Sequence, residues 1–287
     1  DLCNQALIKY PKNLRIHNLL SKINYQDKLK SMNNYFANGN YDIVIKLASE
    51  LIKFNNKDPH LYNTLGLALY ELNNLDDAIL SYLKAIKISP SFAVPYLNLG
   101  NVYLKKEDYP SAIKNYNLAL NIEPKNYIFL KNLFVALFKY TPASYQIDYT
   151  NAYEHLLSNK NTLGYENLQV LISRTINYLM LNPIFKNLNL ELNSLKNNKD
   201  LEKKLHEVSN VLLFHLIISD SIIYDLDFEK LLINLRKIIF MNIEFLANSV
   251  SLYELIQSLA LNSLFNDYIF YETNTEIEKV TKLEYKI

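Results

Sequence analysis

The sequence predicts an all-α fold, a solenoid of helix-turn-helix pairs followed by a small helical module. Three observations carry this expectation. One set of residues recurs at a constant offset of 34. Helix breakers are scarce, with 4 Gly and 8 Pro in 287 residues, which suits helices and disfavours a sandwich or barrel. Apolar residues return at helical spacing along most of the chain.

The recurrence is clearest at 59–92 and 93–126. Tyr62, Leu65, Gly66, Ala78, Tyr82, Ala85 and Pro90 align with Tyr96, Leu99, Gly100, Ala112, Tyr116, Ala119 and Pro124. Gly66 and Gly100 fall on a first helix, where Gly costs roughly 1 kcal/mol against Ala, a cost tolerated where a neighbour must approach closely. The four alanines give small contacts on each second helix, and the tyrosines fill the space left at the edges. Pro90 and Pro124 stop the second helices. Pro110 fits the first turn of one, where its missing N–H is not needed.

These residues resemble the tetratricopeptide repeat, with its W-x2-L-G-x2-Y…A-x3-F…P pattern at a period of roughly 34 residues. Tyr62 and Tyr96 stand at the large aromatic position; Leu69 replaces the next aromatic, which Tyr103 keeps. The resemblance implies helix pairs stacked into a superhelix with a concave protein-binding surface.

Degenerate copies flank the clear ones. Frame 25–58 contains Tyr35, the turn Asn38–Tyr41 and a second helix from Asp42 to about Lys53, with Ser31-Met32 in place of Leu-Gly. Residues 6–11 read as the tail of an earlier second helix, and His17, Leu20 and Ser21 as the start of a first helix that slips out of frame before 25. In frame 127–160, a first helix over 127–140 carries Leu130, Leu133, Phe134 and Leu137. Thr141–Ser144 interrupts, and Tyr149–Leu157 resumes as a short helix. The expected array is therefore 1–160, and the expected C-terminal module 161–287.

Within that module Leu168, Leu171, Ile172, Ile176 and Leu179 form one stripe. A mostly polar loop is expected at Asn193–Asp200, then helices at 201–219, 225–241 and 251–271. Asp225 suits an N-cap, and Ser251 with Glu254 a capping box. Such a module would cover the last repeat, as arrays need a terminal cap.

Two stretches, Ser219–Ile239 and Leu259–Glu276, resemble the helical linker of bacterial proteins that join tetratricopeptide repeats to a methyltransferase using S-adenosylmethionine. The second contains Leu259-Ala260, Phe265-Asn266-Asp267-Tyr268-Ile269-Phe270, Thr273 and Glu276, with Asp267 and Ile269 where the linker has Glu and Val. The resemblance implies a catalytic domain fused beyond this chain. The chain itself has no cofactor motif: Gly39, Gly66, Gly100 and Gly164 are far apart, and no Gly-rich turn, P-loop, zinc spacing or nucleophile elbow is present. The start at Asp1 and the end in mid-pattern suggest a fragment of a longer protein.

Charge excludes other classes. The 30 basic and 29 acidic residues leave a net charge of +1, so no global field favours nucleic acid or an anionic membrane. The longest apolar stretch, Val211–Ile218, is too short to span a bilayer. The single Cys3 excludes an internal disulfide framework and, with no secretory signal, fits a cytoplasmic protein. His206 and His215 are nine apart, on roughly opposite sides of a helix, and read as structural and not as a metal pair. Asp225, Asp227 and Glu229 read as a solvated first turn, and the 23 tyrosines as packing.

Function is expected on the inner face, lined by the first helices. Its candidate residues are Asn63, Tyr70, Asn98, Asn101, Lys105, Lys131 and Asn132, with Thr64, Leu67, Leu97 and Leu104 between them. Asn98 and Asn132 are 34 apart and expected in register. An Asn both donates and accepts, so a ladder of them can grip an extended peptide backbone. A similar ladder occurs in the repeats of O-GlcNAc transferases, which this part also resembles; Thr64 and Lys30 break it in the earlier copies. Solvated Asn in an Asn-rich chain is the competing account, and the charge set of a chaperone-type carboxylate clamp is not matched. The sequence thus predicts a scaffold binding protein or peptide. The alternative is the targeting half of a larger transferase: a methyltransferase, or a glycosyl- or sulfotransferase.

Overall fold

The computed structural model describes residues 14–162, 165–195, 197–218, 225–246, 252 and 254–259. They form helices joined by turns and short connections, without a strand among the described residues. The chain divides into two compact units, Asp1–Asn132 and Leu133–Ile287.

The first unit is a stack of helix pairs: α1 (Leu14–Ala37) with α2 (Tyr41–Phe54), α3 (Pro59–Glu71) with α4 (Leu75–Ile88), and α5 (Ala93–Lys105) with α6 (Tyr109–Ile122). The second helices end where the prolines require, at Ile88 before Pro90 and at Ile122 before Pro124. Pro59 and Pro110 sit in first turns, and Asp58 and Asp108 accept from the backbone N–H of His60 and Ser111. Packing joins three helices at a time. Met32 of α1, Val44, Ala48 and Leu51 of α2, and Leu61 and Ala68 of α3 make one cluster. Leu69 of α3, Ala78 and Tyr82 of α4, and Leu99 and Val102 of α5 make the next. The second helices α2 and α4 are thus each covered by the first helix of the following pair, as a repeat array requires.

The turns within the three pairs are the same turn. Gly39, Asn73 and Glu107, each 34 apart, have φ of +74°, +63° and +60°. The N–H of the next residue reaches back across the last turn: Asn40 to the Tyr35 carbonyl, Asn74 to Leu69 and Asp108 to Tyr103, at 2.9, 2.8 and 2.9 Å. This is a left-handed C-terminal cap, which glycine adopts freely and Asn tolerates.

The recurring glycines have a specific neighbour. A Cβ on Gly66 would lie 2.6 Å from Cε1 of Tyr82, and one on Gly100 2.5 Å from Cε1 of Tyr116. Both rings are fully buried, so neither can move aside. In the first pair the sizes are exchanged: Met32 stands at the glycine position and Ala48 at the tyrosine position, both buried in one cluster. The copy that lacks Leu-Gly thus keeps its volume.

Several expectations are corrected. The helix expected to open at His17–Ser21 and slip before 25 is continuous with the first helix of frame 25–58; α1 runs unbroken from Leu14 to Ala37, since no Gly or Pro interrupts 14–37. The expected loop at 193–200 is largely helical: α11 (Leu188–Ser194) and α12 (Asn198–Ser209) leave only 195–197 between them, and the Asn197 side chain caps α12 by accepting from Asp200 N–H. The expected helix at 201–219 is broken at Asn210-Val211, with α13 covering Leu212–Ile218. A short α10 (Pro183–Lys186), capped by Asn182, had no counterpart in the periodicity.

In the second unit, α8 (Ile147–Ser158), a 3-10 turn (Lys160–Thr162), α9 (Tyr165–Leu179) and α14 (Leu226–Met241) lie near their expected places, and α15 (Ile243–Leu246) follows. Asp225 caps α14, accepting from Phe228 N–H at 2.8 Å. Ser251 and most of 251–271 lie outside the described residues. Tyr178 organises the start of α8: its ring stacks on Tyr145 at 4.8 Å and tilts against Tyr153 at 4.9 Å. Its hydroxyl accepts from Gln146 N–H at 3.0 Å and pairs with Thr150 Oγ1 at 2.9 Å. The division at Asn132 falls inside α7 (Tyr127–Lys139), so frame 127–160 straddles it. The connection from α7 to α8 spans 140–146, where the clear copies use only 72–74 and 106–108.

Candidate peptide-binding face

Helices α3 and α5 present facing stripes. On α5, Asn98, Asn101 and Lys105 are spaced by three and four residues and so share one face. On α3, Asn63 and Tyr70 are two turns apart on one face. The stripes are joined at both ends. Asn98 Nδ2 donates to Asn63 Oδ1 at 2.9 Å, and Lys105 Nζ sits 4.8 Å from the Tyr70 ring centroid, a cation–π contact. Between them, Asn101 Oδ1 accepts from the Tyr116 hydroxyl at 2.8 Å.

The amides are therefore half used. The side chains of Asn63 and Asn98 are only 8% and 7% exposed as residues, which suits a floor and not a rim. Their mutual bond leaves Asn63 Nδ2 as a donor and Asn98 Oδ1 as an acceptor; Asn101, holding Tyr116 through its oxygen, keeps Nδ2 as a donor. Burial, and secondarily the neighbouring Glu71, holds the Tyr70 phenol neutral by raising its pKa. Lys105 is exposed.

The structure thus brings together five of the seven sequence candidates: Asn63, Asn98, Tyr70, Lys105 and Asn101. Lys131 is exposed and Asn132 half-buried on α7. The amide that Asn98 engages is Asn63, at offset 35, and no hydrogen bond joins it to Asn132. Thr64, the residue at offset 34, is passed over. Sequence reading had missed that Tyr116 anchors Asn101; the available signal was their common position in the repeat, since Leu67 replaces Asn101 in the preceding copy and the Tyr82 hydroxyl there is buried without a partner.

Other candidates are structural. His215 bonds through Nε2 to the Ser209 carbonyl at 2.9 Å and through Nδ1 to Ser258 Oγ at 3.2 Å; it lies on α13 and His206 on α12. Among the described residues no cluster of three His, Cys, Asp or Glu could hold a metal ion, and no helix is long and apolar enough to cross a membrane. Of the two linker-like stretches, the first is described from Asp225 onward as α14, and the second lies beyond Leu259, outside the described residues.

Residues 93–126 match the family described as "Tetratricopeptide repeat", and residues 66–107 the one described as "TPR repeat". The chain is similar to a DnaJ homolog subfamily C member 7 homolog of Dictyostelium discoideum, 28% identical over 105 residues, covering 35% of this chain and 20% of that protein. It is also similar to Hsp70-Hsp90 organizing protein 3 of Arabidopsis thaliana, 28% identical over 105 residues, covering 37% of this chain and 19% of that protein. The chain thus spans about a fifth of the length of these curated relatives. Among solved structures, the Arabidopsis OM64 TPR domain is similar at 20% identity and TM-score 0.39, covering 40% of this chain and 96% of that one.

Proposed function

We propose that the first unit is a binding module for an extended segment of a partner protein, seated along the facing stripes of α3 and α5. The observation that carries this reading is the pairing of Asn98 with Asn63, which leaves one amide donor and one amide acceptor side by side. A peptide backbone offers the complementary acceptor and donor on each residue. From Asn98 to Lys105 the stripe runs roughly 10 Å along the helix, about the length of three extended residues. The name of the similar Hsp70-Hsp90 organizing protein, which describes dealings with other proteins, supports the same class of role. Asn132 and Lys131 would extend the face along α7. The single Cys3 fits a reducing compartment such as the cytoplasm.

The test is selection of a random dodecapeptide library on the full chain, followed by titration of the selected peptides. Replacing both Asn63 and Asn98 by Ala removes the amides without orphaning either one, so the fold loses little. Binding should weaken about tenfold or more, as two or three lost hydrogen bonds imply. Peptides that bind the double variant with unchanged affinity would place the site elsewhere.

A further inference from the structure

Helix α4 turns an apolar strip outward. Its packed side is Ala78, Ser81, Tyr82 and Ala85, all buried. On the other side Asp76, Leu80, Leu83 and Lys87 are exposed, the two leucines to 65% and 46%. Their spacing of four, three and four residues keeps them on one line along the helix, the spacing of a coiled-coil seam. A lone exposed leucine needs no explanation. This pair is set apart by the neighbouring copies: the positions 34 residues away are Lys46 and Ser49 on α2, and Lys114 and Asn117 on α6. Stacking of the repeats thus has no use for leucine at either place.

The charges around the leucines are self-complementary. Asp76 stands four residues before Leu80, and Lys87 four residues after Leu83. Laid antiparallel on a second copy, with Leu80 against Leu83 of that copy, the strip sets Asp76 beside Lys87 at both ends. Asp77 and Lys84, seven apart on one flank of the strip, meet their opposites in the same way. A parallel arrangement would set Asp on Asp and Lys on Lys, so the charges select the antiparallel one. These groups are available. Lys106 meets Asp76 through one oxygen, and the Asp76 side chain stays 87% exposed. Among the described residues no ion pair engages Asp77, Lys84 or Lys87.

We infer that α4 is the contact helix of a two-fold homodimer, with Leu80 and Leu83 as its apolar centre and Asp76–Lys87 pairs closing both ends. The helix has 14 residues, a length of about 21 Å. With two leucines from each copy, the buried area falls below that of a standard interface, and the dimer fills in over roughly 10 μM to 1 mM protein. The contact uses a second helix, whereas the candidate peptide-binding face belongs to the first helices α3 and α5. Each copy therefore keeps its own face, and the dimer presents two. Self-association does not depend on peptide binding and is measured without a peptide.

The experiment is sedimentation equilibrium of the full chain from about 5 μM to 1 mM. The average mass should rise with concentration from the 33.5 kDa of one chain toward twice that value. Leu80→Lys combined with Leu83→Asn installs the residues that α6 carries at the same positions, so the melting temperature at low concentration should be retained while the dimer weakens at least tenfold. Asp76→Lys and Lys87→Asp each set like charges at both ends and should weaken it roughly three- to tenfold. Combining the two changes in one chain, or mixing the two single variants, restores opposite charges and should recover the association. A chain that stays monomeric throughout the range would overturn the inference. So would a dimer untouched by the leucine changes, or one that the exchanged charges fail to rescue.

Discussion

Tyr116 fills the space that Gly100 leaves empty: a Cβ at residue 100 would come within 2.5 Å of Cε1 and 2.7 Å of Cδ1 of that ring. The same relation joins Gly66 to Tyr82, and the converse one, large on the first helix and small on the second, joins Met32 to Ala48. The pair is a unit of volume, and the first prediction follows from it. Gly100→Ala should cost about 1–3 kcal/mol and Gly100→Leu more. Gly39 has φ of +74° and nothing within 4 Å of its absent Cβ, so Gly39→Leu should cost only about 1–2 kcal/mol from backbone strain. Urea midpoints measure both. Equal losses would count against the packing role of Gly100.

Coupling between the two positions is a sharper test. Combining Gly100→Met with Tyr116→Ala rebuilds the arrangement of Met32 and Ala48. The double variant should be more stable than the sum of the two single losses, with an interaction of about 0.5–3 kcal/mol in a mutant cycle. Simple additivity would show that the two sites do not share one space.

The two buried tyrosines should respond oppositely to loss of their hydroxyls. The Tyr82 hydroxyl has no partner, so Tyr82→Phe removes an uncompensated polar group and should leave stability unchanged or raised by up to about 1 kcal/mol. Tyr116→Phe loses its bond to Asn101 and should cost about 0.5–1.5 kcal/mol. Thermal or urea unfolding of the two variants decides this. Leu67→Asn should supply the missing acceptor, and Tyr82→Phe would then become destabilising in that background.

At the turn of the third pair, Glu107 holds φ of +60°. Glu107→Gly relieves that strain at the expense of a more flexible unfolded chain, so a net gain of about 0.5–1 kcal/mol is expected. Asn73→Gly should gain less, because Asn visits this region more readily. A midpoint that falls on Glu107→Gly would show that the Glu side chain holds the turn by other contacts.

In the second unit, burial lowers the pKa of His155 below its ordinary 6.5 and raises that of Glu154 above 4.5. The folded His155 resists the proton that the unfolded chain accepts. Stability should therefore fall as pH drops from about 7 through 6.5 toward the lowered value. Glu154 acts in the opposite sense: the folded state keeps its proton longer, so acidification through the window above 4.5 offsets part of the loss. Melting temperatures between pH 5.5 and 7.5 should show a decline on acidification that His155→Gln reduces.

The array was legible because its determinants are local or periodic. Leu65-Gly66 and Leu99-Gly100, the alanines and the terminating prolines act within one copy, and copying them at offset 34 announces the copy. Helix ends set by Pro110 and Asp225 could be read for the same reason, since a cap or first-turn proline answers to backbone groups within its own first turn. The candidate face was legible as a set of positions. Its connections were not, because which amide reaches which depends on how two helices cross.

The sequence by itself determined the helical class, the two central pairs and the stripe on which Asn98, Asn101 and Lys105 stand. Tertiary structure decided that Asn98 bonds Asn63 and not Asn132, that Lys105 rests on Tyr70, and that Tyr116 turns the Asn101 amide while Tyr82 is left unsatisfied. It also decided that Met32 and Ala48 could replace a Gly–Tyr pair, where the pattern alone reads only a degenerate copy. Periodicity reports where a side chain stands on its own helix; volume and hydrogen bonds are settled between helices, where a large residue may come from either side.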